Sequence, residues 1–364
     1  MKIPWTKPEF WGNEIKYVTN ALESTWISGG EYVDRLEKNF KDTLNKKHVL
    51  AVSNGTTAIH LAYLGLGLKA GDEIIIPGFA FMAAANAALH MGLKPVFAEV
   101  DPYTWCLSAK GLEKYISSQT KAIIPIHTYG NVCDMDAIIK IANANGITVI
   151  EDCAESIFSK YKGKYCGTIG QVSTFSFQAT KTITTGEGGL VVTDSDDLNR
   201  KMVLYRSHGM DRGKKFYWHE LPGHNFRLTN MQAALGAAQL EKTDVILAKR
   251  KNVYEEYKKH LSGAEGISLQ KIEENVQVEI WAIALKLNEK SFSQGRDKVI
   301  EQMKEKGIET RPGFYASSLL PIYEKHSLPV CEDISKNIIS LPTFAGLKND
   351  EIAFICTELL KLRS

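Results

Sequence analysis

Three short segments of this chain bring together side chains that could do chemistry. Lys181 stands in Gln178-Ala179-Thr180-Lys181-Thr182, among small and hydroxylated residues, and is followed by Thr185-Gly186-Glu187-Gly188-Gly189. A lysine just past a buried strand can be partly desolvated, which lowers its pKa and frees the amine to attack an aldehyde. The glycines behind it permit unusual backbone angles. Asp152 follows the run 147–151. A carboxylate at the end of a buried strand needs a partner, because an unpaired buried charge is costly. A protonated ring nitrogen would serve; so would the amides of Cys153-Ala154-Glu155, with Asp152 as a helix N-cap. Ser53-Asn54-Gly55-Thr56-Thr57-Ala58 follows the run 49–52 and opens a helical pattern. A helix start offers free N–H groups and a favourable dipole to an anion, although plain capping by Ser53 or Thr56 explains the same residues. Taken alone, Lys181 reads as a surface lysine.

The elements around these segments explain why they belong together. Short β-rich runs at 49–54, 73–77, 95–100, 122–127, 147–152, 173–177 and 190–193 alternate with helical stretches such as 57–68 and 136–145. Runs as apolar as Glu73-Ile74-Ile75-Ile76-Pro77 are covered on both faces, which implies a mostly parallel sheet between helices. In such sheets ligands bind at the carboxyl ends of strands, and all three segments follow a strand. The pattern predicts an α/β sandwich over about 30–240 and one long helix over 230–259. After it come strand over 267–287, helix over 298–306 and a closing helix over 349–361. That is a second, α+β unit. The expected division is 1–245, with an N-terminal arm, and 246–364.

Bulk properties exclude several classes. Over 364 residues the net charge is +2, and basic residues form only short groups such as Lys214-Lys215 and Lys249-Arg250-Lys251. A dedicated nucleic-acid binder would concentrate them on one face. No run approaches the roughly 18 apolar residues of a membrane span, and Met1-Lys2-Ile3-Pro4-Trp5 lacks the apolar stretch of a signal peptide. The cysteines at 106, 133, 153, 166, 331 and 356 form no Cys-x-x-Cys pair. Zinc and dithiol chemistry are therefore unsupported, and a reducing cytoplasm is the expected setting.

Together the segments resemble the DegT/DnrJ/EryC1/StrS aminotransferases. The resemblance includes Trp26-Ile27-Ser28-Gly29-Gly30, Pro77-Gly78-Phe79-Ala80-Phe81, His127-Thr128-Tyr129-Gly130, Gly223-His224-Asn225-Phe226-Arg227-Leu228-Thr229 and Glu309-Thr310-Arg311-Pro312, and so covers nearly the whole chain. Within the family the chain resembles the GDP-perosamine synthase branch, through Glu155, the run Lys160-Tyr161-Lys162-Gly163-Lys164-Tyr165, and Arg311-Pro312-Gly313-Phe314-Tyr315. The resemblance implies the fold type I, aspartate aminotransferase-like architecture. This is a mostly parallel seven-stranded sheet sandwiched by helices, with a smaller C-terminal α+β domain. It implies pyridoxal 5'-phosphate as cofactor, held as a Schiff base on Lys181, which also shuttles the proton. Asp152 would pair with the ring nitrogen and keep the ring an electron sink. Glu155, where most of the family has Gln or His, would approach the phenolic oxygen, and one of those two groups would hold a proton. Phe81 would stack on the ring. Gly55, Thr56, Thr57 and Ser176 would hold the phosphate, with Asn225 reaching it from the second subunit of a homodimer.

L-Glutamate is the implied amino donor and a nucleotide-linked 4-keto-6-deoxy sugar the implied acceptor, for surface polysaccharide. His208, Tyr217, Arg311 and Tyr315 are candidate acceptor contacts, each with an equally good reading as surface loop or structural ion pair. Two departures bear on the acceptor. The family usually has a second aromatic where Gln178 stands, and Pro-x-His where this chain has Ala316-Ser317-Ser318. Losing a hydrogen-bonding side chain from a site built for it shifts specificity, so another keto-sugar nucleotide or a small phosphorylated ketone is the alternative acceptor. A related dehydratase would carry histidine in place of Lys181. A non-catalytic, cofactor-binding sensor on the same fold would lack amino transfer.

Overall fold

The computed structural model describes residues 2–211 and 213–364. A seven-stranded sheet runs through its larger part, in the spatial order His48–Val52, Gly189–Thr193, Val172–Ser176, Thr148–Asp152, Thr120–Ile123, Glu73–Pro77 and Lys94–Ala98. Gly189–Thr193 lies antiparallel to both neighbours, and the other pairings are parallel. Glu73–Pro77, parallel to both neighbours, buries Ile74, Ile75 and Ile76 completely or nearly so. This is the environment that makes parallel strands read as continuous apolar runs. One core lies under the helices Gly55–Leu66 and Ala83–His90, and another lies under Glu31–Leu44 and Met135–Ala144. Each expected run meets a strand, although the one expected over 122–127 ends at Ile123.

Residues 230–259 are not one helix. They form Asn230–Leu240 and Thr243–Leu261, separated at Glu241 and Lys242. The two pieces face different cores. The first buries Ala233, Ala234 and Ala237 against the helices Glu14–Glu23 and Glu31–Leu44, and the second buries Val253, Tyr257 and Leu261 with the C-terminal residues. A single straight helix could not present both stripes to both cores. Segment 267–287 likewise divides into Ile267–Leu269, Val276–Gln277 and Ile283–Leu287, interrupted by the polar Glu273-Glu274-Asn275. Val276–Gln277 leaves its neighbours and pairs with the hairpin Lys160–Tyr161 and Lys164–Tyr165.

The C-terminal sheet is antiparallel throughout, in the order Ile267–Leu269, Ile283–Leu287, Ile338–Leu341 and Arg311–Pro312. Arg296–Glu305 and Asn349–Lys361 supply helices beside it. Near the chain start, Ile3 forms an isolated parallel bridge with Ile308, just ahead of the strand Arg311–Pro312. Ile3 donates to Gly307 O at 2.8 Å, accepts from Glu309 N–H at 2.9 Å, and is buried in the core with Val253 and Ile339. None of the helices among the described residues is long and apolar enough to cross a membrane.

Candidate active site

Two neighbouring parallel strands deliver the chemistry. Thr148–Asp152 ends in Asp152, which is aligned with Thr174 on Val172–Ser176, and that second strand ends in Ser176. The helix Gly55–Leu66 starts against the same edge. Asn54 caps it, accepting the Thr57 N–H at 2.8 Å while the Thr57 hydroxyl accepts the Asn54 N–H at 3.1 Å. A Cβ on Gly55 would stand 2.8 Å from the Ser176 Cβ, so glycine is what lets the helix start close on the strand end. Gly55, Thr56 and Ser176 line a cavity of about 580 Å³. First-turn amides have no partner inside their own helix, so this wall offers an anion N–H groups and a hydroxyl.

Asp152, Glu155 and Lys181 line the same cavity. The Lys181 Nζ is 4.0 Å from Glu155 Oε1 and 3.7 Å from the centroid of the Trp281 ring. Burial pulls the Lys181 pKa below its ordinary value, against the pull of Glu155 and Asp152 in the other direction. Burial pushes Asp152 up, although the Ala154 N–H at 3.0 Å and Lys181 oppose it. Burial pushes Glu155 up to about 7, against Lys181 and the Tyr129 N–H at 2.8 Å. Two buried carboxyls thus share one amine, and neither is fully answered. A cationic ring nitrogen would answer Asp152.

The turn that presents Lys181 is built by Gln178. Its Oε1 accepts the Thr180 N–H at 2.8 Å and the Thr180 hydroxyl at 2.6 Å, and its carbonyl accepts the Lys181 N–H at 2.8 Å. Here the residue that departs from the family pattern does a local structural job. Opposite stands an aromatic wall. Tyr129 stacks on Phe314 at 5.2 Å and on Trp281 at 6.2 Å, and the Trp281 indole N–H donates to Thr180 O at 2.8 Å. Tyr129 lies in a motif that the sequence singles out but leaves without a role. Phe314 lies in the 311–315 motif, also without a role, whereas Trp281 carries no local signal, because the chain entering the second sheet at Ile283 brings it in from far along the sequence.

Of the expected site residues, Gly55, Thr56, Phe81, Asp152, Glu155, Ser176, Lys181 and Arg311 line the cavity. Thr57 sits behind it with hydroxyl and amide committed to the cap. Phe81 is 63 % exposed at the mouth, 6.2 Å from Phe314. Asn225 is exposed and bridges Ser207, away from the lining. His208 has φ of 61° and its carbonyl meets the His219 ring; Tyr217 is 79 % exposed; the Tyr315 ring lies 5.6 Å from the Arg296 guanidinium. None of these three reaches the lining. Ser317 and Ser318 point elsewhere too, pairing with His326 at 2.9 Å and Glu332 at 2.7 Å.

Residues 9–360 match the model of the DegT/DnrJ/EryC1/StrS aminotransferase family. The chain belongs to this family. It is 39% identical over 362 residues to a GDP-perosamine synthase of Escherichia coli O157:H7, covering 98% of this chain and 97% of that one. It is 40% identical over 356 residues to another GDP-perosamine synthase, from Caulobacter vibrioides, covering 96% and 95%. Among solved structures, PseC of Helicobacter pylori, an aminotransferase of pseudoaminic acid biosynthesis, superposes with a TM-score of 0.94 at 27% identity, covering 100% of this chain and 99% of that one. The chain has fold type I and is a pyridoxal-phosphate-dependent aminotransferase. The residues present fit that cofactor: an amine of lowered pKa for its aldehyde, a buried carboxyl for its ring nitrogen, and a glycine-started helix for its phosphate.

Proposed function

We propose that this enzyme moves an amino group from L-glutamate to the keto carbon of a nucleotide-linked 4-keto-6-deoxy sugar, in the manner of a GDP-perosamine synthase, for surface polysaccharide. The observation that carries the reading is the convergence of Lys181, Asp152 and the Gly55 helix start on one cavity, in a chain 39% identical to one such synthase.

Lys181 would bind the cofactor's aldehyde carbon through its amine and, once released by the donor, carry the proton to and from the reacting carbon. The bound cofactor supplies an electron sink. Asp152 would keep its ring nitrogen protonated, and Glu155, with a pKa near 7, would share a proton with its phenolic oxygen. Phe81 would cover the ring. Gly55, Thr56 and Ser176 would hold the phosphate, with Thr57 acting through the cap. Asn225, exposed on its own subunit, would serve a second copy, which makes a homodimer part of the site. His208, Tyr217 and Tyr315 would then meet the acceptor as a rim around the mouth. The division into 1–245 and 246–364, with the cavity between them, and a cytoplasmic setting belong to the same reading.

Mixing the yellow holoenzyme with L-glutamate should bleach its visible band, and adding a GDP-4-keto-6-deoxymannose-type acceptor should restore it. No bleaching with any amino acid would sink the aminotransfer reading in favour of a sensor. Restoration by a small keto-phosphate alone would keep aminotransfer and overturn the sugar nucleotide. That alternative has one observation in its favour, the serines at 317 and 318 that turn away from the cavity. Lys181 itself argues against a dehydratase.

A further inference from the structure

The Lys181 amine has three partners for its charge: Glu155 Oε1 at 4.0 Å, Asp152, and the face of Trp281, whose centroid is 3.7 Å away. Under the function proposed above, both carboxyls are committed to the cofactor, Asp152 at the ring nitrogen and Glu155 at the phenolic oxygen. What then remains beside the amine is the indole. Trp281 is 7 % exposed and pinned at three points. Its backbone N–H donates to Tyr129 O at 3.1 Å, its carbonyl accepts from the buried Arg250 guanidinium, and its indole N–H donates to Thr180 O at 2.8 Å. Trp5 meets the ring edge to face at 5.8 Å and 82°, and Tyr129 stacks beside it at 6.2 Å. Thr180 immediately precedes Lys181, so the indole is tied to the same turn that carries the amine.

We propose that Trp281 is a positioning residue, the resting place of the Lys181 ammonium whenever the amine is free of the cofactor. The inference rests on the aminotransfer reading. Once the amine has taken a proton from the donor it is an ammonium, in surroundings where burial disfavours charge. An aromatic face within about 6 Å stabilises a cation, Trp best of all, and more so where water is excluded. The face differs from a carboxylate in kind. It accepts no proton, so it steadies the ammonium without competing for the proton that must go on to the reacting carbon. Orientation matters too, because an aromatic ring is negative on its face and positive at its edge. The bond from the indole N–H to Thr180 O keeps the face, and not the edge, toward the amine.

Two measurements test this, one of them without turnover. The apoprotein captures added pyridoxal 5'-phosphate only through an uncharged amine, so the pH midpoint of the capture rate reads the Lys181 ammonium. Comparing variants cancels the cofactor's own titration. Trp281→Leu removes the π face and should lower that midpoint by about half a unit to one and a half units. Trp281→Phe should lower it less. Loosened packing alone would admit water, relieve the burial penalty and raise the midpoint, so the direction separates the two causes. Replacing Trp281 with tryptophans of increasing fluorination keeps the shape and the N–H, and should lower the midpoint stepwise. That series carries the comparison if Trp281→Leu does not fold. In single-turnover bleaching, Trp281→Leu should slow the limiting rate about threefold to thirtyfold. It should leave the half-saturating glutamate concentration unchanged and widen the rate difference between glutamate and its α-deuterated form. A midpoint that stays or rises in Trp281→Leu, or one indifferent to fluorination, overturns the proposal. So does a change confined to the glutamate concentration required. A midpoint lowered as expected, in a protein that no amino acid bleaches, keeps the ammonium's place over Trp281 and sinks the aminotransfer reading.

Discussion

Glu151 and Asp152 are adjacent, equally buried carboxyls on opposite faces of one strand, and their surroundings differ completely. Glu151 accepts the N–H groups of Gly167 at 2.7 Å, Ile169 at 2.8 Å and Gly170 at 2.6 Å, and it lies 3.3 Å from the His127 Nε2. The His127 Nδ1 accepts the Cys133 N–H at 3.3 Å, which leaves the ring proton on Nε2 to donate to Glu151. Burial alone would push Glu151 up, but His127 and the glycine amides outweigh it and leave its pKa below the ordinary value. Asp152 has one amide within reach and ends with its pKa raised. A buried charge with every lone pair answered is a structural strut; one left short of partners, on a cavity wall, is waiting for a ligand. The same logic disposes of a metal at His127, Glu151 and Cys153, which lie close enough to suggest one. With both imidazole nitrogens and the carboxylate already engaged, neither His127 nor Glu151 has a lone pair free to ligate, and burial holds the Cys153 thiol protonated by raising its pKa.

The sharpest break between the two faces lies in Lys181→Ala. Removing the amine from the under-satisfied face should lower amino transfer by at least about a thousandfold, because nucleophile and proton carrier are lost together. The apoprotein should still fold but melt at a lower temperature, because the amine is the cation that the buried Asp152 and Glu155 share. Near-wild-type transfer by that variant would remove the basis for separating the faces by function.

Paired isosteric changes test the comparison directly. Glu151→Gln turns an acceptor-only group into one whose amide meets N–H donors, and should destabilise the protein by about 2–4 kcal/mol. Asp152→Asn removes a desolvated charge and should stabilise the apoprotein, by about 1–2 kcal/mol, while cutting amino transfer about a hundredfold by loosening the ring nitrogen's proton. Chemical denaturation of the two apo variants reads both signs. If the variants shift stability in the same direction, the distinction between strut and ligand group fails.

The two faces also differ in how far the sequence reveals them. The strands announce themselves as short β-rich runs, and Gly55, Asp152 and Lys181 each stand at the end of one or a few residues past it, so the cofactor side is legible from local order. The opposite wall is not. Trp5 and Trp281 lie far apart in the chain and meet only because Ile3 pairs beside Ile308 and the strand Ile283–Leu287 enters the second sheet. No spacing rule connects such residues. The break at Glu241 and Lys242 escapes for a related reason. Both residues favour helix, and only the need to face two cores at once divides the segment.

A smaller effect should appear with pH. The folded pKa of Glu155, about 7, lies above the ordinary glutamate value, so ionising it opposes folding. The penalty is absent below the unfolded pKa, grows as pH rises between about 4.5 and 7, and then levels off near 3 kcal/mol. Glu151 has the opposite sign. Its lowered pKa gives stability that is present above the unfolded value and lost as pH falls through the folded one. Denaturation of the apoprotein across pH 4.5–7 should therefore show a decline that Glu155→Gln lessens, leaving the same-signed share of Asp152, and that Glu151→Gln does not lessen.

The smallest expected effect concerns the turn rather than the charges. Gln178 holds Thr180 by two hydrogen bonds from one side-chain oxygen, and Thr180 in turn accepts the Trp281 indole N–H. Gln178→Ala breaks the first link and should cost about 1–2 kcal/mol. Its more telling consequence lies at Lys181, whose N–H rests on the Gln178 carbonyl and whose amine rests over Trp281. If the turn sets that amine, Gln178→Ala should slow bleaching by glutamate several-fold while the affinity for pyridoxal phosphate, whose phosphate would rest on the Gly55 helix start, changes less. An equal loss in both measurements would mean that the cavity loosens as a whole, and that the amine is positioned by the entire wall rather than by its own turn.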